Sequence, residues 1–123
     1  MQGLHLTADL HGCAATLPAM VDPLALRALC LGAVRRAGLQ PVGELFHPFP
    51  APGGVTGVVL LAESHLAVHT WPELGAVTLD VYVCNLQTDN SASAEALLLA
   101  LQAAFGPSQA EHHRVHRGRA GTA

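Results

Sequence analysis

Three strand-like segments follow one another closely in the middle of this chain. The segment "VTGVVLLAES" (55–64) is rich in β-branched residues and short enough for a buried strand. The segment "HLAVHTW" (65–71) alternates apolar and polar residues up to Pro72, and "GAVTLDVYVC" (75–84) reads as a further strand. This succession restricts the chain to a fold built on a sheet.

Two helices complete the predicted layers. Asp22-Pro23 supplies an N-cap and a proline at the first helical position, and Gly38 ends the Leu- and Ala-rich run 24–37. Asn90 or Ser91 caps a second helix, which runs through Phe105 and is closed by Gly106-Pro107.

The remaining segments are shorter or less regular. Residues 3–9 and 42–49 alternate as strands, whereas "HGC" (11–13) and "TLPAM" (16–20) are interpreted as turn or loop. The tail 110–120 is expected to start as a strand and then fray. The sequence therefore predicts one α+β domain over residues 1–123, a two-layer sandwich whose mainly antiparallel sheet carries two helices on one face.

Composition excludes several classes of function. Half of the 123 residues are apolar and 12% are charged, which predicts an apolar surface beyond the core, as at an oligomer interface. A net charge of −3 does not favour nucleic acid or an anionic membrane as a partner. With no evident signal peptide and three cysteines that lack metal-type spacing, we expect a cytoplasmic protein with reduced thiols.

The chain contains no lysine, since all six of its basic residues are arginines. It therefore cannot hold pyridoxal phosphate as a lysine Schiff base or use a lysine amine as a nucleophile. Any chemistry on an amine substrate requires a different electrophile.

The segment "AESHLAVHTWPE" (62–73) contains Ser64 between a glutamate and a histidine. A metal site is excluded here, because His65 and His69 would lie roughly 13 Å apart on a strand. The sequence around Ser64 also lacks the G-x-S-x-G signature of a serine hydrolase, which argues against that class of enzyme. A catalytic pair of Cys84 with a histidine stays possible, although no protease-type signature surrounds Cys84. The simplest alternative is that Ser64 is an ordinary turn or strand-edge residue.

A longer pattern resembles a known family. The stretch "FHPFPAPGGVTGVVLLAESHLAVHTWPE", followed by "LDVYVC", is similar to the prokaryotic S-adenosylmethionine decarboxylase proenzyme. The resemblance runs from "HLTADLHGC" to "HRGR", and its centre is E-S-H-x-x-x-H-T-W-P-E with a cysteine twenty residues after the serine.

The resemblance implies that the chain cuts itself between Glu63 and Ser64. The products would be a β chain, 1–63, and an α chain, 64–123, whose first residue becomes a pyruvoyl group. That ketone would form a Schiff base with the substrate amine, in place of pyridoxal phosphate. The implied reaction converts S-adenosylmethionine into the aminopropyl donor for spermidine and other polyamines.

The resemblance also implies a role for each site residue. Ser64 is the pyruvoyl precursor, His69 accepts a proton during processing, and Thr56 assists processing. Cys84 donates a proton after decarboxylation; a thiol of ordinary acidity holds its proton near neutrality. Phe49 and Glu73 are the candidates for stacking on adenine and binding the ribose, while Phe46 and Trp71 are expected in the core.

Ser64 and His69 are five residues apart, roughly 16 Å on a strand, and face opposite sides of it. Either the chain bends sharply between them or the histidine comes from another copy. The resemblance implies a two-fold homodimer whose sites combine Ser64 and Cys84 with the partner's Thr56 and the partner's His69.

Two alternatives stay open. The resemblance also allows a paralogous arginine or ornithine decarboxylase, which the same serine, histidine and cysteine would serve equally well. Departures from the usual pattern, namely the extra residue in "APGG", Leu74 and Asn85, bear on the substrate pocket. An unprocessed, non-catalytic regulatory subunit is the alternative of a different class.

Overall fold

The computed structural model describes residues 1–119, which contain six strands and three α-helices. The strands are β1 (Gln2–His11), β2 (Pro41–Pro48), β3 (Val55–Leu61), β4 (Ser64–Trp71), β5 (Ala76–Cys84) and β6 (Gln109–Gly118). The helices are α1 (Pro18–Val21), α2 (Pro23–Arg36) and α3 (Ser91–Phe105), and a 3-10 turn spans Pro72–Leu74.

All six strands form one antiparallel sheet in the order β2-β3-β4-β5-β1-β6. Alternate residues of the strands are buried and pack with α2 and α3 into one core, as Leu4, Leu6, Ala8 and Leu10 of β1 do. The residues between them form the opposite face of the sheet, called the open face below. The predicted α+β sandwich with an antiparallel sheet is confirmed.

Helix α2 begins and helix α3 ends as the sequence predicts, whereas the Asn90 side chain does not cap the start of α3. Asp22 Oδ1 accepts a hydrogen bond from the Leu24 N–H at 2.9 Å, with Pro23 in the first helical position of α2. Gly106 ends α3 in the left-handed conformation, with φ of 55°. No α-helix within residues 1–119 is long and apolar enough to cross a membrane.

Two local predictions were wrong, those for residues 18–21 and for Ser64. Residues 18–21, interpreted as loop, form the single helical turn α1, which is too short to show a periodic pattern and is anchored by buried Met20. The tail does start as a strand, β6, which is ten residues long because β1 pairs with it along its whole length, and the last residue of the predicted fray, 120, lies outside the described residues. Ser64 does not end the preceding strand but opens β4.

Thr70 is a buried polar residue that ties the sheet to the helical layer. Its side chain is 4% exposed, and Oγ1 accepts from the Val55 N–H and donates to the Met20 C=O, both at 2.8 Å. Substitution of Thr70 by valine would leave both backbone groups without this partner.

We expect Thr70→Val to lower the free energy of unfolding by about 2–4 kcal/mol, since each buried group left unsatisfied costs about 1–3 kcal/mol. Urea unfolding of chains that also carry Ser64→Ala, to keep the polypeptide whole, would measure the loss. Thr7→Val on the open face is the matched control and should cost far less. Equal losses in the two variants would contradict this account of Thr70.

Candidate active site

A tight hairpin turn presents Ser64. Leu61 of β3 pairs with Ser64 of β4, which leaves only Ala62 and Glu63 in the turn. Glu63 has φ of 55° and is the one non-glycine residue within residues 1–119 with a positive φ. A left-handed backbone costs a residue with a side chain roughly 1–2 kcal/mol. The least favourable backbone conformation therefore adjoins the peptide bond between Glu63 and Ser64.

Ser64 and Cys84 meet at one corner of the sheet. The Cys84 N–H donates to Ser64 Oγ at 3.1 Å, and the Cys84 side chain is half-buried at the end of β5. Burial raises the pKa of Cys30 to about 12 and also raises that of Cys13, which suits unreactive core thiols. We call Ser64 with Cys84 the serine half-site.

Thr56 and His69 face each other across β3 and β4. Their Oγ1 and Nδ1 atoms are 3.1 Å apart. The His69 ring also stacks on Trp71, with ring centroids 5.8 Å apart and planes inclined by 27°. These contacts hold the imidazole in one orientation on the open face. We call Thr56 with His69 the histidine half-site.

A cleft of about 320 Å³ adjoins the histidine half-site. Its lining includes both residues of that half-site together with Phe49, Trp71 and Glu73. Phe49 is 50% exposed, so its ring is available to a ligand. The structure thus brings the two predicted substrate residues into the same cleft as His69.

Trp71 is not in the core, contrary to the prediction. It is 37% exposed because it shares the face of β4 that carries His69, two residues earlier. The strand alternation of the sequence would have placed it there. Phe46 does pack against the core, over Gly57, where an added Cβ would lie 2.2 Å from its ring.

The two half-sites are separate within one chain. Pairing between β3 and β4 is regular from Leu61–Ser64 to Thr56–His69, so the chain makes no bend between Ser64 and His69. Five extended residues separate them by roughly 16 Å. Neither half-site has the complete predicted set of residues.

The sequence matches the S-adenosylmethionine decarboxylase family over residues 4–118. The chain belongs to that family. It is 39% identical to the S-adenosylmethionine decarboxylase proenzyme of Archaeoglobus fulgidus over 116 residues, 94% of this chain and 97% of the relative. The proenzyme of Aquifex aeolicus is 49% identical over 82 residues, 67% of this chain and 58% of that relative.

The family assignment extends to the three-dimensional structure. The crystal structure of the adenosylmethionine decarboxylase from Aquifex aeolicus VF5 superposes with a TM-score of 0.85 at 34% identity, covering 97% of this chain and 92% of that one. The family resemblance read from the sequence is therefore confirmed. Both half-sites lie within the matched range of residues.

One group of potential metal ligands lies on β1 and β6 and includes no residue of either half-site. Within residues 1–119, Asp9, Glu111 and His113 bring one ligand atom each to within 4.8 Å of one another, on β1 and β6. Glu111 and His113 are exposed, and such surface groups commonly occur without an ion. The arrangement adds no ligand to Ser64 or His69.

Proposed function

We propose that this protein is a self-processing, pyruvoyl-dependent decarboxylase that converts S-adenosylmethionine into the aminopropyl donor of polyamine synthesis. The observation that carries the proposal is the placement of Ser64, after a strained Glu63 and with its hydroxyl oxygen held by the Cys84 N–H. Membership of the S-adenosylmethionine decarboxylase family supports the substrate.

Processing begins with Ser64 Oγ attacking the Glu63 carbonyl carbon, so that the amide becomes an ester and the Ser64 nitrogen a free amine. The imidazole of His69, supplied by the other copy in the dimer proposed below, takes the Ser64 α-proton. Elimination then releases residues 1–63 with a carboxylate at Glu63 and leaves dehydroalanine at position 64. Its imine form takes up water and loses ammonia, which leaves the pyruvoyl group.

The serine half-site fits this group, because the Cys84 N–H, which donates to Ser64 Oγ in the uncut chain, becomes a free donor beside residue 64 once that oxygen leaves with the Glu63 carboxylate. A pyruvoyl group supplies a ketone that binds the substrate amine and takes up the electron pair left when CO₂ departs. The Cys84 thiol, on the neighbouring strand, would protonate the carbon that lost CO₂. Binding of the substrate amine and protonation of the product therefore fall to Ser64 and Cys84, which meet at one corner of the sheet.

We further propose a two-fold homodimer that joins each serine half-site to a histidine half-site of the other copy. The open face carries four exposed apolar side chains suited to such an interface: Leu45, Leu60, Trp71 and Val115. His5 Nε2 is buried on the same face and has no hydrogen-bond partner among the described residues, although Asp80 Oδ2 lies 3.5 Å away. A second copy could supply that partner.

The cleft beside His69 suits adenosylmethionine. Phe49 and Trp71 present aromatic faces that can stack on adenine and attract the sulfonium cation. Glu73 can accept hydrogen bonds from ribose hydroxyls. Arginine and ornithine lack both the adenine and the ribose, so this lining favours adenosylmethionine over them.

Self-cleavage is the direct test. Intact-mass analysis of purified protein should show fragments 1–63 and 64–123, the second without a free N-terminal amine. CO₂ release should then be faster from adenosylmethionine than from arginine or ornithine. A chain that stays whole after long incubation under native conditions would contradict the proposal and favour a non-catalytic subunit.

A further inference from the structure

The loop between β5 and α3 contains two asparagines whose side chains close it. Asn85 Oδ1 accepts from the Asn90 N–H at 2.7 Å, and Asn85 Nδ2 donates to Ser91 Oγ at 3.1 Å. Asn90 Nδ2 donates to the Cys84 C=O at 2.8 Å. We call these two residues, Asn85 and Asn90, the asparagine clasp. It ties the end of β5 to the start of α3.

The clasp also holds Cys84, through the backbone carbonyl of that residue. The Cys84 N–H donates to Ser64 Oγ while its C=O accepts from Asn90, and the following N–H, of Asn85, donates to the Gln2 C=O at 2.8 Å. Because the first two bonds involve one residue, a displacement of the Cys84 carbonyl also displaces the donor that holds Ser64.

Asn90 makes this contact instead of capping its helix. Asparagine is among the best N-cap residues, yet Asn90 stands at the N-cap of α3 without a side-chain capping bond. Asp89 Oδ1 accepts the Ser91 N–H instead, at 2.9 Å. The hydrogen bonds from the Ser91 backbone and side chain lower the pKa of Asp89. Sequence rules for local structure, such as helix capping, are most often broken at functional sites. The unused cap therefore points to a functional role for Asn90.

We infer that Asn90 is a positioning residue for self-cleavage, which fixes Cys84 so that the Cys84 N–H holds Ser64 Oγ in place to attack the Glu63 carbonyl. The inference rests on the proposed function. Asn90 acts through Cys84 and does not touch the reacting atoms.

The test replaces Asn90 by aspartate, which keeps the size of the side chain but turns the donor toward Cys84 into an acceptor. We expect the first-order cleavage rate of newly synthesised chains, followed by intact mass during cell-free synthesis, to fall about tenfold or more. Asp89→Ala is the matched control, because it removes a hydrogen bond from the same loop without contacting Cys84. It should lower the thermal midpoint but leave the cleavage rate unchanged.

Amide hydrogen exchange provides a second measurement that does not depend on cleavage. In a His69→Ala background, which keeps Ser64 and is expected to process slowly, Asn90→Asp should speed exchange of the Cys84 amide about tenfold, and Asp89→Ala should not. If wild-type chains never cleave, the proposed function fails while this difference in exchange persists. Wild-type cleavage by Asn90→Asp, or equal slowing by Asp89→Ala, would overturn the inference.

Discussion

A Cys84→Ala chain should still divide between Glu63 and Ser64 but lose about 10²–10⁴-fold in decarboxylation, the usual contribution of a general acid. Cleavage and decarboxylation can be affected separately because Ser64 Oγ is held by the backbone N–H of Cys84, which alanine retains. Only the thiol that would protonate the product is removed. Intact mass reports cleavage, and CO₂ release from adenosylmethionine reports turnover.

Cys84→Ser is the matched control, because it keeps a weakly acidic hydroxyl in the same place. Its turnover should lie between those of the wild type and Cys84→Ala, with cleavage intact in all three. Wild-type turnover by Cys84→Ala would refute the role of the thiol. Loss of cleavage in that variant would mean that the side chain, and not the backbone, positions Ser64.

Two chains that are inactive alone should complement each other when they are produced together. Ser64→Ala cannot form the pyruvoyl group, and His69→Ala should process poorly by itself. In a mixed dimer, one site joins an intact Ser64 to the partner's intact His69. We therefore expect cleavage of the His69→Ala chain only, and with random pairing of equal amounts about half of those chains should be cut.

Different tags on the two chains would allow each to be isolated and weighed, and recovery of both through one tag would confirm mixed dimers. The expected result follows from the regular β3–β4 pairing, which keeps Ser64 and His69 apart within a chain. Mixed dimers without any cleavage would place both residues in one chain and exclude the shared site.

Most of the fold is predictable because the signals for its elements are local. Asp22, Pro23 and Gly106 delimit the helices as the sequence indicates, and the strands alternate as expected. The hairpin turn at Ala62 and Glu63 has no such signal, since neither residue favours a positive φ. The extent of β6 depends on its pairing with β1, 98 to 116 residues away in the sequence, which no local pattern reveals.

The residues of the candidate site were found through a long motif, and their arrangement required the structure. The motif identifies Ser64, His69 and Cys84 but not the hydrogen bond from the Cys84 backbone to Ser64, which depends on the way β4 and β5 meet. It also gives no role to Asn90, which reads as an ordinary helix cap until its side chain is seen to bind the Cys84 carbonyl.

The strand order determines what self-cleavage does to the folded chain. Residues 1–63 contribute β1, β2 and β3, and β1 lies between β5 and β6, which belong to residues 64–123. The two products would therefore stay interleaved, because β1 can leave only by giving up its hydrogen bonds on both sides. Once unfolded, however, the products would have to find each other in solution before β1 could insert again. Refolding of the mature protein would then depend on concentration, whereas the uncut precursor folds as a single molecule.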